Sequence, residues 1–438
     1  MAINAEIRAE FIKEATWHGS LACAEEILAA HPQLAANDVH IAAILGNDAA
    51  VRGFIEASKA NATALSEPYG GNALVYLCLS KYLRLDPTRT PAFLRAATAL
   101  LDAGEDANSG FMTRGPHPEF ETALYGAAGV AHHPGMTRLL LERGADPNDV
   151  EAVYHSPETY DNRAMQLLVE TGKLTAENLA LMLIRKHDWH DIEGAKYLLS
   201  HGADPNHGDG HGWLALHHAL ARNNSLEMIE LLLDHRADPM LRKNGQTAVE
   251  LAARRGRADV LRLFSQRGFS TELQGVDRLI AACALDDSKA IHEIAAEAPA
   301  LVREVVAQGG KLICEFAGTW NTPGVRHLLD LGVPVDARFA GDGYWQLAPD
   351  TTALHVASWM GKTHTVKLLI ERGADVNARD AQNRTPLQFA VRACVDSYWM
   401  DRRTPDTAAA LLQAGAIPEG IKLPTGYDEI DILLATHA

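Results

Sequence analysis

Histidines placed beside carboxylates are the residues of this chain with the clearest capacity for chemistry. They fall in two polar segments, at 153–163 and 186–191, and the set is His155, Glu158, His187, Asp188, His190 and Asp191. An imidazole beside a carboxylate can transfer protons or bind a metal ion near neutral pH. We predict no metal site, because His187 and His190 supply two ligands and no third is evident. Helix capping and hydrogen bonds between elements are the alternative role.

Aromatic side chains accompany these histidines and suggest a small-molecule site. The predicted ligand-binding residues of this region are His155, Tyr160, His187, Trp189 and His190. A separate loop, 395–405, adds Tyr398, Trp399 and Arg402 to that set. An arginine beside aromatic rings can bind carboxylate or phosphate groups. The alternative for the arginine is pairing within its own loop, with Asp396, Asp401 or Asp406.

Known catalytic signatures are absent from the sequence. It contains no GxSxG, no HExxH and no dinucleotide-binding glycine pattern. GKT at 361–363 lacks the first glycine of a phosphate loop, and PNHGDGHG at 205–212 lacks the spacing and closing Glu of a calcium loop. The sequence therefore assigns no catalytic residue, no cofactor and no metal, and it favours a function other than catalysis.

Charge and composition limit the class of partner. The 438 residues carry 40 Lys and Arg against 56 Asp and Glu, a formal net charge of −16. This balance disfavours nucleic acid and favours a protein partner with a basic surface. No stretch reaches the roughly 18 apolar residues of a membrane span, and the N-terminus lacks a signal-peptide pattern. Five separated cysteines without a CxxC pair indicate buried thiols, so we expect a reducing, cytoplasmic location without membrane contact.

Two short strings recur and place these residues on a repeating scaffold. The first occurs as GEDAN at 104–108, GADPN at 144–148 and 202–206, RADPM at 236–240 and GADVN at 373–377. Before its last copy, Val366, Leu369 and Ile370 share one helix face, and Gly373 supplies a helix stop. The second string lies upstream, as TALYGA at 122–127, LALHHA at 214–219, TAVELA at 247–252, TALHVA at 352–357 and TPLQFA at 385–390. The unit is a turn, a helix, a short loop, a second helix and a glycine turn.

In this order the two strings resemble the ankyrin repeat, which recurs about every 33 residues. The resemblance implies an all-α solenoid of stacked helix pairs with finger turns, in about 12 repeats over 1–438. The predicted parts are degenerate repeats at 1–65, repeats with inserted loops at 66–276, further repeats at 277–420 and a C-terminal cap at 421–438. The resemblance also implies that His217 and His355 are structural and bond the turns of adjacent repeats.

In this family the turns between repeats project as fingers and line a concave face together with the first helices. Three such turns are long here, at 66–72, 109–121 and 338–351. We predict that their aromatic residues are solvated and bind a partner: Tyr69, Phe111, Phe120, Phe339, Tyr344 and Trp345. The alternative is that the loops fold back and bury these rings. The predicted function is a non-enzymatic protein-binding array, with a small-molecule or catalytic pocket on the inserted loops as the alternative.

Overall fold

A computed structural model describes residues 4–210, 212–397 and 403–437. The chain divides into two compact units, of which the first ends at Asp238 and the second begins at Pro239. Helices follow one another as pairs, seven in the first unit and five in the second. The described residues therefore hold twelve helix pairs, and the predicted helical repeat architecture is confirmed. That these pairs form one continuous array over 1–438 stays a prediction.

The first unit contains fourteen α-helices and one π-helical segment within its described residues. Its pairs are α1 (Ala5–Ala15) with α2 (Leu21–Ala30), α3 (Val39–Ile44) with α4 (Asp48–Ala57), α5 (Ala73–Cys78) with α7 (Thr90–Asp102), the π-helical segment Tyr125–Val130 with α8 (Pro134–Glu142), α9 (Val150–His155) with α10 (Arg163–Glu170), α11 (Ala176–Asp188) with α12 (Ile192–Ser200), and α13 (Ala215–Ala221) with α14 (Leu226–Asp234). The short α6 (Lys81–Leu85) lies within the third pair.

The second unit repeats this arrangement. Its pairs are α15 (Ala248–Arg254) with α16 (Ala258–Gln266), α17 (Gly275–Leu285) with α18 (Ser288–Glu297), α20 (Gly309–Gly318) with α21 (Thr322–Asp330), α22 (Ala353–Trp359) with α23 (Thr363–Glu371), and α24 (Pro386–Val395) with α25 (Asp406–Gln413). Two helices stand outside the pairs, α19 (Pro299–Ala307) and the C-terminal α26 (Asp428–Ala435). We did not predict α19, which begins at a proline whose fixed φ suits the first helical position.

Polar caps explain where many of these helices begin. Thr247 and Thr385 each accept a hydrogen bond from a backbone N–H three residues later, and Glu250 and Gln388 complete the reciprocal capping box. His355 bonds to the following repeat, because its Nε2 lies 3.0 Å from the carbonyl oxygen of Arg384. Its predicted structural role is therefore confirmed. His217, the equivalent residue of α13, is buried.

The asparagine of the GADxN string joins each repeat to the next. In four copies its amide donates to a carbonyl of the following turn and accepts from a backbone N–H of that turn. These copies are Asn108 with Gly144 and Asp146, Asn148 with Lys173 and Thr175, Asn206 with Arg236 and Asp238, and Asn377 with Gly415 and Ile417. The recurring string thus encodes the bonds that hold successive turns in register.

In most pairs the loop between the two helices contains a left-handed residue. This residue stands between the C-cap of the first helix and the N-cap of the second, and we call its place the left-handed loop position. Glycine occupies it at Gly46, Gly256 and Gly361, where φ lies between +62° and +67°. Trp17, His132, His190, Asn223 and Trp320 occupy it in other pairs. A residue with a side chain costs roughly 1–2 kcal/mol there relative to glycine, so the presence of these five residues calls for an explanation.

Two finger turns carry short antiparallel hairpins. Strands β1 (Gly110–Met112) and β2 (Phe120–Thr122) pair in the first unit, and β3 (Arg242–Lys243) and β4 (Gln246–Thr247) pair in the second. Four cysteines are buried as predicted, whereas Cys23 is exposed because α2 buries only Ala24.

Candidate functional site

The hairpin of β1 and β2 sorts its side chains to two faces. Phe111 lies opposite Glu121, and Met112 lies opposite Phe120. Because successive residues of a strand point to opposite faces, the first pair faces inward and is buried, whereas the second pair faces outward and is exposed. The predicted exposure of Phe120 is therefore confirmed. That of Phe111 is wrong, because the pleat turns it toward the repeats.

Phe111 belongs to an aromatic cluster of the first unit. Its ring stacks on Tyr69 with 5.3 Å between centroids, and Trp17 meets both rings edge-on at 5.9 Å. Trp17 also donates its indole N–H to the hydroxyl of Tyr125 at 3.0 Å. Tyr69 is half-buried in this cluster. The loop-burial alternative thus holds for Tyr69 and Phe111, and Trp17, the residue that covers them, was missed because nothing in the sequence connects it to these turns.

The long finger turn of the second unit also folds back on itself. Isolated bridges pair Phe339 with Thr351 and Asp342 with Leu347. Trp345 is buried, and its ring lies 4.7 Å from that of Tyr344. Its predicted exposure is therefore wrong, since the closed turn buries the indole. Phe339 and Tyr344 are half-buried.

Apolar side chains remain exposed along three successive turns of the first unit. They are Leu65 at 71% exposure, Met112 at 52%, Phe120 at 48% and Val150 at 69%, and we call this set the finger edge. Arg114, next to the hairpin tip, lies 3.3 Å from Glu67 of the turn that carries Leu65. On the other side β2 packs against α9, which Val150 begins. Sequence reasoning found Phe120 and missed the other three, because a single aliphatic residue in a turn is no signal by itself.

Ionisable side chains on three first helices of the first unit form a chain of ion pairs, which we call the ion network. It comprises Glu151 and His155 of α9, Glu158 of the loop that follows α9, Arg185 and Asp188 of α11, and His218 and Arg222 at α13. His155 Nδ1 lies 2.8 Å from Glu158 Oε2, and Arg185 bonds to both Glu158 and Asp188. Asp188 Oδ1 lies 2.9 Å from His218 Nε2 and 2.5 Å from Arg222 Nε. The network thus joins α9, α11 and α13.

Two members of this network, His155 and Asp188, have pKa values well away from neutral pH. Burial alone would lower the pKa of His155, but Glu151 and Glu158 outweigh it and raise that pKa to about 9. Burial would raise the pKa of Asp188, but His218, Arg222 and Arg185 lower it to about 2. A group that transfers protons works best with a pKa near the operating pH. The arrangement therefore suits persistent ion pairs better than acid–base catalysis.

His187 lies inside the repeat stack. Its side chain is fully buried, and this burial lowers its pKa to about 3. Its ring centroid lies 6.2 Å from that of His218, and neither of its ring nitrogens has a hydrogen-bond partner among the described residues. α11 directs this side chain into the core and directs Asp188 toward the network. The predicted contact of His187 with a ligand stays a prediction.

The remaining predicted ligand residues lie in the loops that join paired helices. Tyr160 is exposed and meets Trp189 edge-on at 5.7 Å. Below them the buried Lys186 bonds to Asp191 at 2.8 Å and to the carbonyl oxygen of Thr159 at 2.6 Å. His190 takes the left-handed loop position. The structure thus assigns His155 to the ion network, His187 to the core and the aromatic pair to a loop edge, and their grouping into one pocket is not observed.

Tyr398, Trp399 and Arg402 lie outside the described residues. Within the described ranges, no group of three or more His, Cys, Asp or Glu side chains is arranged to hold a metal ion. The same ranges contain no helix of the length and apolar character that a bilayer crossing demands.

Sequence reasoning missed Arg185, His218 and Arg222 of the ion network. The spacing of Arg185 and Asp188, three residues apart on one helix, was available as a signal for their ion pair. Their links to α9 and α13 depend on the stacking of repeats and have no local signature.

Comparisons with known proteins agree with this architecture. The family model described as ankyrin repeats (3 copies) matches residues 152–243 and 181–275, and the single ankyrin repeat model matches 350–381. Human Rabankyrin-5 is 37% identical over 67 residues, which are 15% of this chain and 6% of that protein. Human protein phosphatase 1 regulatory subunit 27 is 42% identical over 64 residues, which are 15% of this chain and 36% of that protein.

A solved structure, the human ASB11 ankyrin repeat domain, covers 61% of this chain and 98% of its own at 19% identity, with a TM-score of 0.26. At that score the likeness carries no weight here. The assignment depends instead on the recurring helix pairs, the asparagine bonds between turns and the family-model matches. The chain therefore contains ankyrin repeats, which the family models match at 152–243, 181–275 and 350–381.

Proposed function

We propose that the chain is a non-enzymatic protein-binding array that holds its partner on the finger edge of the first unit. The observation that carries this proposal is the exposure of Leu65, Met112, Phe120 and Val150 on three successive turns. Ankyrin repeats typically mediate protein–protein contacts, and exposed apolar side chains that follow one another along a surface mark such contacts. The assignment of this binding to the finger edge is our proposal.

The hairpin makes this edge well suited to act as an anchor. Met112 and Phe120 face each other across the ladder, so the hairpin backbone fixes both side chains before binding. The inward pair, Phe111 and Glu121, holds the hairpin against the repeats. Little conformational entropy is then lost on association, which favours affinity. We expect the partner to insert an apolar side chain between Met112 and Phe120.

The acidic residues beside the finger edge indicate the charge that the partner's surface should carry. Glu67 and Glu119 flank the edge and are exposed, and the chain carries a net charge of −16. A basic rim around an apolar anchor complements this field. The proposed partner is therefore a protein with a basic surface and a protruding apolar residue.

The test compares variants in capture and affinity measurements with the partner recovered from the source cell. We expect the double variant Met112→Ser, Phe120→Ser to bind at least about 30-fold more weakly, as loss of an anchor worth about 2 kcal/mol implies. Ile432→Ser is the control, since it removes an even more exposed apolar side chain from α26. Unchanged affinity in the double variant, or an equal loss in the control, would refute the finger edge.

A backbone variant provides a second check on the same surface. A Cβ at position 110 would lie 2.5 Å from the carbonyl oxygen of Glu121, so Gly110→Ala must distort the ladder that presents Met112 and Phe120. We expect it to weaken binding as the double serine variant does. Gly343→Ala is its control, because a Cβ there meets open space.

A further inference from the structure

A groove in the second unit crosses three successive second helices, α21, α23 and α25. Its volume is about 740 Å³, within the range of roughly 300–1,000 Å³ that ligand sites occupy. Trp320 lies at one end, Lys362 and Lys367 line the middle, and Asp406 and Gln413 line the far side. None of its lining residues belongs to the finger edge.

Trp320 adopts an unfavourable backbone conformation at this groove. It occupies the left-handed loop position, where Gly256 and Gly361 stand in neighbouring pairs of the same unit. A tryptophan at φ +63° is strained, and at 60% exposure it recovers little of that cost by burial. A residue that costs conformational energy without filling a core is a candidate for binding.

The flanking residues fix the direction in which Trp320 points. Thr319 Oγ1 donates to the carbonyl oxygen of Arg255 at 2.9 Å. Asn321 Nδ2 donates to the carbonyl oxygens of Gly256 at 2.7 Å and Ala284 at 2.8 Å. The loop is thus bonded to two other pairs on both sides of the indole, which is presented in advance of any binding event.

The charges of the groove are opposite in sign to the charge of the chain. Lys362 Nζ lies 3.6 Å from the centroid of the Trp320 ring, and Lys367 extends from the exposed side of α23. Lys367 forms no ion pair with any described residue. Among the described residues that line the groove, Asp406 is the one carboxylate, beside two lysines and His364. In a chain with sixteen excess acidic residues, this local excess of cations selects an acidic ligand.

We propose that this groove binds an acidic peptide segment of a protein partner, with Trp320 packing against an apolar or aromatic residue of the segment and the two lysines pairing with its carboxylates. The groove is open and extends over three helices, which suits a length of extended chain better than a compact small molecule. Ala409 and Ala410 on α25 leave room for side chains of the segment. This surface is separate from the finger edge and differs from it in the sign of the charge it selects.

The experiment selects ligands from a random 12-residue peptide library displayed on phage, with the full chain as bait. We expect selected peptides to be enriched in Asp and Glu and to contain an apolar or aromatic residue. Synthetic copies are then titrated by fluorescence anisotropy. Trp320→Gly and Lys367→Glu should each weaken binding at least tenfold. Trp320→Gly places glycine at positive φ and should keep the melting temperature of the wild type or raise it.

Three controls make the outcome decisive. Lys289→Glu makes the same charge change on an exposed lysine of α18 and should bind like the wild type. The Met112→Ser, Phe120→Ser variant should also retain binding, so failure of the finger edge and failure of the groove are distinguished. A peptide copy with Gln and Asn in place of its acids should lose affinity. The groove is refuted if no peptide is selected, if the peptides lack acidic residues, or if Trp320→Gly and Lys367→Glu bind them as the wild type does.

Discussion

His155 carries a positive charge at neutral pH, because Glu151 and Glu158 raise its pKa to about 9 against the effect of burial. An unfolded histidine has a pKa near 6.5. A group whose pKa is raised by folding stabilises the fold fully below its unfolded pKa and loses that contribution as the pH rises through its folded pKa. The charged pair of His155 with its two carboxylates should therefore stabilise the first unit at pH 6 and no longer at pH 9.5.

The variant His155→Gln tests this expectation. We expect its loss of unfolding free energy relative to the wild type to be larger at pH 6 than at pH 9.5 by roughly 1–3 kcal/mol. Urea unfolding at pH 6, 7.5 and 9.5 measures the difference. His292→Gln, on the exposed side of α18, corrects for general effects of pH. A difference that grows toward pH 9.5 would contradict the assigned protonation state.

At the scale of single residues, the sequence predicted the role of a repeat residue better than it predicted whether a loop residue is buried or exposed. His355 was assigned correctly, because its role is local to the repeat and its string is specific. Phe111 and Phe120 were predicted alike, yet the pleat of one hairpin turns them to opposite faces. The register of a short hairpin depends on its turn and on the surface beneath it, and neither is visible in the loop sequence of 109–121. The predicted exposure of Trp345 was wrong for the same reason.

At the scale of elements, the link between repeats is the asparagine that closes each GADxN string. Asn148 donates to the carbonyl oxygen of Lys173 at 3.0 Å and accepts from the backbone N–H of Thr175 at 3.0 Å. It also accepts from Asn178 Nδ2 at 2.9 Å. Neighbour contacts of this kind supply much of the stability of a repeat array, because each unit buries its apolar face only against the next.

We expect Asn148→Ala to lower the unfolding free energy of the first unit by about 1–2 kcal/mol, because it leaves a carbonyl and an N–H of the next turn without their partners. Asn178→Ala is the matched control, since it removes one of the three bonds and leaves both backbone bonds intact. It should cost much less. Chemical denaturation gives both values, and hydrogen exchange of Thr175 N–H locates the effect. Equal losses in the two variants would contradict the bridging role.

Helices and loops follow the same rule: those with a local sequence signal were predicted, and those without one were missed. The strings predicted the helix pair of 352–377, because cap, apolar face and glycine stop all agree there, and the first helix that begins at 385–390. No string marks α19, α1 with its buried C-terminal end, or the cover that Trp17 places on Tyr69 and Phe111. Those contacts join residues more than fifty positions apart, and a periodic pattern carries no information on them.

For the molecule as a whole, the net charge of −16 should affect the association rate at the finger edge and leave the lifetime of the complex almost unchanged. Long-range charge acts on the rate of encounter, whereas buried anchors act on the lifetime of the complex. The acidic field should speed the approach of a basic partner and be screened by salt, since the Debye length falls from about 10 Å at 0.1 M to about 3 Å at 1 M. The apolar anchor should be insensitive to that screening.

The expected kinetics follow from this separation. Between 50 and 500 mM NaCl the association rate constant of the finger-edge partner should fall about tenfold or more, with little change in its dissociation rate constant. The Met112→Ser, Phe120→Ser variant should show the reverse, a faster dissociation with association within about twofold of the wild type. Surface plasmon resonance at four salt concentrations measures both constants. An association rate that is constant or rises with salt would mean that the partner does not present a basic surface, because screening can only weaken an attraction between opposite charges.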